Sequence, residues 1–160
     1  MDRENSAEIT IYTFRMKGYT VGFIFDSTLE HVALVTKTHP AWQKGKVNGV
    51  GGLIDADESS VAGMVREAKE EAGITTTTKD WEFIIKMKRP DLFVDFYTCR
   101  WAQNQLDVDT QTDEAVMWYP VSKLPVNVIP NLRWMIPFAL DTYPDSALDS
   151  ETVTYTKNND

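Results

Sequence analysis

The chain has 160 residues and a formal net charge of −8, and 42% of it is apolar. That length and apolar content suit one globular domain with a sizeable core, while the acidic balance argues against a non-specific nucleic-acid or anionic-membrane binder, which would be basic. The single cysteine, Cys99, leaves no intramolecular disulfide, no apolar run nears membrane-spanning length and the N-terminus lacks a signal-peptide pattern, so a reducing, cytoplasmic setting is the simplest expectation.

In chain order, residues 9–14 and 19–25 read as strands separated by a turn at Lys17-Gly18, and residues 31–36 as a third. Residues 40–46 read as a loop. Gly49, Gly51 and Gly52 follow in Asn-Gly-Val-Gly-Gly, a run that lets backbone groups approach a ligand with no β-carbon in the way. A helix comes next, ended by Gly73 and capped at its start by Asp55, Asp57 or Ser59. Residues 81–88 and 92–100 read as two strands joined around Arg89-Pro90-Asp91. Cys99 falls in the second and reads as a core residue, not a nucleophile. Residues 115–120 form a short strand. Leu132, Met135, Ile136 and Ala139 give residues 130–140 a helical spacing. The expected division is one domain over residues 1–142 and a polar remainder, 143–160. There Val153 and Tyr155 alternate with threonines, leaving open a short added strand or an unfolded tail.

The helix between the glycines and Gly73 carries the chemistry. Val61, Val65, Ala68 and Ala72 fall within one arc at 3.6 residues per turn, with Glu67, Glu70 and Glu71 opposite. Carboxylates at i, i+3 and i+4 repel one another, and a fold that needed only stability would avoid them. A hard divalent cation such as Mg²⁺ or Mn²⁺ reverses the sign of that interaction. Arg66 stands beside the cluster and can orient a carboxylate through paired hydrogen bonds. Gly63, which costs about 1 kcal/mol relative to alanine inside a helix, suggests a close approach.

These residues resemble the Nudix box, Gly-x5-Glu-x7-Arg-Glu-U-x-Glu-Glu-x-Gly-U, where U is a bulky aliphatic. Gly52, Glu58, Arg66, Glu67, Glu70, Glu71, Gly73 and Ile74 occupy its specified places. Ala68 is smaller than the pattern prefers. The layout of strands is similar to the family from about residue 8 to residue 140. The resemblance implies an α/β fold, an α/β/α sandwich with a mixed β-sheet. It also implies hydrolysis of a nucleoside diphosphate linked to another group, with Mg²⁺ or Mn²⁺. Glu67, Glu70 and Glu71 match metal-binding glutamates, and Glu67 a general base or water-orienting group. Gly51 matches the residue whose carbonyl binds metal. Glu58 and Arg66 match structural and orienting positions. A downstream acid completes the metal site in MutT-like members. Glu114 is the first candidate and Asp113 the second, with a plain loop charge as the alternative.

The substrate is less legible. Lys37, Lys44 and Lys46 could touch phosphates or simply be solvated. Asn48 is similar to the purine-binding asparagine of MutT-like sanitising hydrolases, or is a turn residue before glycine. Residues 130–140 resemble their pocket-closing helix. There Asn131 stands near a place where some members carry an acid that reads an oxidised purine. Trp134 and Trp42 either stack on a base or pack in the core. Pro90, sixteen residues after Ile74, resembles a feature of ADP-ribose-cleaving members. The expectation is therefore a MutT-like enzyme for a small-molecule nucleoside triphosphate, working as a monomer or homodimer. An ADP-ribose or nucleotide-sugar pyrophosphatase is the alternative, followed by a non-catalytic nucleotide-binding domain. Isomerase chemistry on an isoprenoid diphosphate would need a cysteine nucleophile, and Cys99 gives it no support.

Overall fold

The computed structural model describes residues 16–101 and 110–142, together with the backbone of 151–154. The expected strand at residues 9–14 lies outside them.

Period-two alternation builds the sheet. In β1 (Lys17–Phe25), Val21, Phe23 and Phe25 face one side while Ile24 faces the other. In β2 (His31–Thr36), Val32 and Leu34 divide from Ala33 and Val35 in the same way. The remaining strands are β3 (Val47–Asn48), β4 (Val50–Leu53), β5 (Glu82–Lys88), β6 (Leu92–Arg100), β7 (Val116–Pro120) and β8 (Glu151–Thr154). Eight strands run in the order β3-β2-β1-β6-β5-β8, with β4 paired to β1 and β7 to β2. The β1–β6 and β5–β8 pairings are parallel and the others antiparallel. The sheet is therefore mixed.

Each face of the sheet is covered by one helix. Met64, Ala68 and Ala72 of α1 (Ser60–Ala72) pack with Ile24, Ala33 and Val35. Leu132, Met135, Ile136 and Ala139 of α2 (Leu132–Thr142) pack with Val21, Phe23 and Phe25. This is the α/β/α sandwich with a mixed sheet that the box resemblance implied. Cys99 is a core residue, and burial pushes its thiol up to about 12. None of the described helices is long and apolar enough to cross a membrane.

Four local expectations change. Lys17 and Gly18 do not turn; they lie inside β1, opposite Leu92 and Phe93. The glycine run is not a free loop, because Val50–Leu53 pairs with Tyr19–Gly22 as β4. The second helix starts at Leu132 and contains Pro137, which leaves the Arg133 carbonyl without its helical donor. The buried arc of α1 is rotated toward the acids: Gly63, Met64, Glu67, Ala68, Glu71 and Ala72 are buried, whereas Val61 and Val65 are only partly so. Apolar periodicity pointed at the valines, but Gly51 and Gly52 of β4 leave bare backbone against which Glu67 and Glu71 lie.

The rotation has a measurable signature. Met64 is fully buried, so Met64→Ala should cost about 2–5 kcal/mol. Val65→Ala, at the edge of the contact, should cost about 1 kcal/mol or less. Urea unfolding of the two variants checks the order, and a larger loss at Val65 would mean that the valine stripe is the buried one.

Candidate active site

The ends of α1 set the frame. Ser59 is the N-cap, accepting from the Ala62 N–H at 3.2 Å, which decides among the three candidates. Gly73 closes the helix at φ 66, in the left-handed region, where glycine carries no Cβ penalty. The acidic residues thus stand at fixed heights above β4.

Two glycines of β4 make the approach possible. Gly51 has φ 153, and a Cβ there would lie 2.0 Å from the Thr20 carbonyl oxygen. A Cβ on Gly52 would lie 2.5 Å from Glu67 Oε1, so the bare strand is the cradle for that carboxylate. Gly63 answers its own question similarly, since a Cβ would sit 3.0 Å from Glu58 Oε1.

Arg66 is the hub of the first cluster. Its Nε and Nη2 donate to Glu58 at 3.2 and 2.7 Å, its Nη1 to Glu67 Oε1 at 2.8 Å and Glu70 Oε2 at 3.0 Å, and its Nη2 also to the Leu53 carbonyl at 3.0 Å. Glu58 in turn accepts from the Asp55 N–H at 2.9 Å. The hydrogen bond from Arg66 holds the Glu58 carboxyl below the usual glutamate range. The same contacts push the Arg66 guanidinium up, Glu58 contributing most. Glu67 moves the other way, because burial raises its pKa more than Arg66 lowers it.

Lys37 is the hub of the second. Its Nζ contacts Glu71 Oε1 at 3.4 Å and makes a short contact with Glu114 Oε2. The far oxygen of Glu71 accepts from the Gly51 N–H at 2.9 Å. The far oxygen of Glu114 accepts from the Thr38 N–H at 2.7 Å and the His39 N–H at 3.3 Å. Burial raises the Glu71 pKa. At Glu114 burial pulls upward too, but Lys37 and the Thr38 N–H outweigh it and the carboxyl ends below its usual range. Burial pulls the Lys37 ammonium down, yet the two carboxylates hold it above the usual lysine range.

Of the two downstream acids, the structure brings in Glu114, which is 2% exposed. Asp113 is exposed and among the described residues reaches only the Thr38 hydroxyl, at 3.4 Å. Lys37 is neither solvated nor open to a phosphate, because its ammonium is drawn between two carboxylates; Lys44 and Lys46 are exposed. Trp42 and Trp134 are 63% and 42% exposed, so neither packs in the core. The Lys46 ammonium stands 5.7 Å from the centre of the Trp42 ring. Asn48 uses its amide within its own loop, donating to Gln43 Oε1 at 3.1 Å and accepting from the Gly49 N–H at 2.8 Å. Asn131 is different: its Nδ2 meets the Met135 sulfur at 3.4 Å, and its buried Oδ1 has no hydrogen-bond partner among the described residues. Thr38, His39 and Gln43 support the site and gave no signal in the sequence, since single polar loop residues have no pattern to find.

The donors are all oxygen, which suits a hard cation, and the Gly52 cradle fits a carboxylate held for that purpose. Among the described residues no three acid, histidine or cysteine side chains stand as a ready-made cage. Arg66 and Lys37 instead gather the acids in pairs around cationic nitrogens.

The family model for the NUDIX domain matches residues 16–139, and the chain belongs to the Nudix family. With the box complete, it is a pyrophosphohydrolase by class. No curated protein matches it in sequence. Among solved structures it is similar to an ADP-ribose pyrophosphatase from Streptococcus suis, with 19% identity, TM-score 0.66, and 87% of this chain and 100% of that one covered. It is also similar to a MutT structure described for Aliivibrio salmonicida and Vibrio cholerae, with 20% identity, TM-score 0.63, and 81% and 100% covered. A third is a MutT/Nudix family protein from Enterococcus faecalis, with 19% identity, TM-score 0.57 and 66% of this chain covered, the match spanning only 44% of that longer chain. At these identities the likeness is one of fold.

Removing the first hub gives a pH-dependent loss. A glutamate whose folded pKa is depressed contributes stability above its unfolded pKa, and loses it as pH falls through the folded one. Arg66→Met should therefore destabilise the protein fully at neutral pH, and the gap to the parent should shrink as pH drops through the Glu58 carboxyl's lowered range. Thermal unfolding of both proteins across that range measures it. A gap that stays constant into acid would mean that Arg66 acts by packing alone.

Proposed function

We propose that the protein is a divalent-metal-dependent hydrolase that splits a nucleoside triphosphate into a monophosphate and pyrophosphate, with Mg²⁺ as its ion and Mn²⁺ as a substitute. The observation that carries this reading is that Glu67 and Glu71 of α1 pack on the Gly51–Gly52 backbone, with Glu70 held beside them by Arg66 and Glu114 in a supporting position. Glu67, Glu70, Glu71, Glu114 and the Gly51 carbonyl would hold the ion. When bound, such an ion neutralises phosphate charge and acidifies a water.

The side chains do the rest. Glu67, whose burial raises its proton affinity, is suited to accept the proton of the attacking water. As that water adds to a phosphorus of the anhydride, the bridging P–O bond breaks and the leaving phosphate departs with the bond's electrons. Arg66 keeps Glu67 and Glu70 aimed while this happens. Positioning and charge stabilisation are the main demands of phosphoryl transfer, and a carboxylate pinned by a guanidinium and a bare strand meets the first.

For the base, Asn131 carries a buried amide oxygen at the start of α2 with no partner among the described residues, which a side-chain rotation would present, and Asn48 keeps one amide N–H beyond its bond to Gln43. The exposed rings of Trp134 and Trp42 are available for stacking. The alternative, ADP-ribose or a nucleotide sugar, draws on the Streptococcus suis neighbour and on Pro90. Pro90, however, sits in the β5–β6 turn closed by the Arg89 N–H on the Leu92 carbonyl at 2.8 Å, which accounts for a proline without a substrate. The lone, buried thiol of Cys99 is in keeping with a reducing, cytoplasmic setting.

Purified protein with Mg²⁺ should release monophosphate and pyrophosphate from one or more nucleoside triphosphates, read by chromatography. AMP and ribose phosphate from ADP-ribose, with triphosphates untouched, would shift the substrate to the alternative. Glu67→Gln and Glu70→Gln should each lower turnover by about 10²-fold or more with circular dichroism unchanged. Near-normal turnover in either would remove that residue from the mechanism.

A further inference from the structure

Arg66 and Lys37 both neutralise acids of the site, but their bonding differs in kind. Arg66 is locked: its planar fork is spread over Glu58, Glu67, Glu70 and the Leu53 carbonyl. Lys37 has a compact charge on a flexible stem, and among the described residues its ammonium touches only Glu71 and Glu114.

The two carboxylates are anchored independently of Lys37. Glu71 is fixed through one oxygen by the Gly51 N–H, and Glu114 through one oxygen by the Thr38 and His39 N–H groups. Each then presents its other oxygen, Glu71 Oε1 and Glu114 Oε2, to the same nitrogen. Two pinned oxygens turned toward one point make a seat for a cation. The lysine backbone is itself fixed, by its N–H on the Lys46 carbonyl at 2.9 Å and its carbonyl under the Gly45 N–H at 2.8 Å. The side chain can therefore leave the seat without any movement of β2 or of the acids.

We infer that the Lys37 ammonium is a built-in occupant of the Glu71–Glu114 cation seat, which a divalent ion must displace to bind there. This rests on the metal-dependent reading above and adds a positioning residue to it. Lys37 keeps two buried like charges from facing each other when the ion is away, and it weakens the ion's apparent affinity by competing for the same oxygens. A residue with a merely structural role would have the opposite effect, since its loss would loosen the site and weaken binding.

The test is a Mn²⁺ titration of the parent protein and Lys37→Met, followed by calorimetry and by the free-ion electron paramagnetic resonance signal. Lys37→Met should bind Mn²⁺ at least about tenfold more tightly, about 1.4 kcal/mol, and should gain more in melting temperature on adding the ion. Lys37→Arg, which keeps the charge, should not bind more tightly than the parent. Equal or weaker affinity in Lys37→Met overturns the inference while leaving the metal-dependent reading intact. If neither protein binds Mn²⁺, that reading fails and this inference falls with it. Should Lys37→Met not fold, the parent alone decides. Its Lys37 should be shielded from an amine-acylating reagent without metal and become several-fold more reactive with Mg²⁺, read by peptide mass spectrometry against Lys44 and Lys46. Unchanged labelling would overturn the inference.

Discussion

The structure depends on pairing buried carboxylates with cations beside a strand whose two central residues, Gly51 and Gly52, carry no side chains. Glu67, Glu71 and Glu114 are all largely hidden from water, and an uncompensated charge in such a place is expensive. Arg66 and Lys37 supply the compensation from one side and the backbone N–H groups of Gly51, Thr38 and His39 from the other. A β-carbon at Gly52 would meet the Glu67 carboxylate, and the arrangement would have to open.

The rest of the fold serves this contact. β4 is held in place because it pairs with β1 over Tyr19–Gly22, while β1 pairs along its other edge with β6 over its whole length. α1 is pressed onto that surface by Met64, Ala68 and Ala72, which share a core with Ile24, Ala33, Val35 and Trp81. The opposite face is closed by α2, whose start brings Asn131 near the sulfurs of Met87 and Met135. The two cores are separate layers, so the acidic helix and the Asn131 helix are each positioned by their own packing against one shared sheet.

The two cations divide the work according to their chemistry. A guanidinium offers five donors in a rigid plane and suits a permanent brace, while an ammonium on a four-carbon stem suits a contact that is made and broken. The same division explains the opposite pKa directions of two glutamates that both face cations. Glu114 gathers enough donors to outweigh burial, whereas Glu67, with Arg66 shared among four partners, does not.

Most strands and both helices were legible in the sequence because alternation and helical spacing are local properties. So was the acidic set, because Glu67, Glu70 and Glu71 belong to one helix and their spacing alone places them together. The box also marked Gly51, Gly52 and Arg66 by type. What the tertiary structure decided is everything that joins distant segments. Lys37 looked like a solvated or phosphate-facing lysine until β2 and the segment before β7 brought it between Glu71 and Glu114. Glu114 was separated from Asp113 only by burial, and Asn48 was tied into its loop by Gln43. Even the helix was turned relative to its valine stripe, because the glycine strand gave Glu67 and Glu71 a surface that a count of apolar residues does not register. Sequence periodicity encodes which residues share a face; which face is buried, and which charges meet there, depends on what the folded chain lays against it.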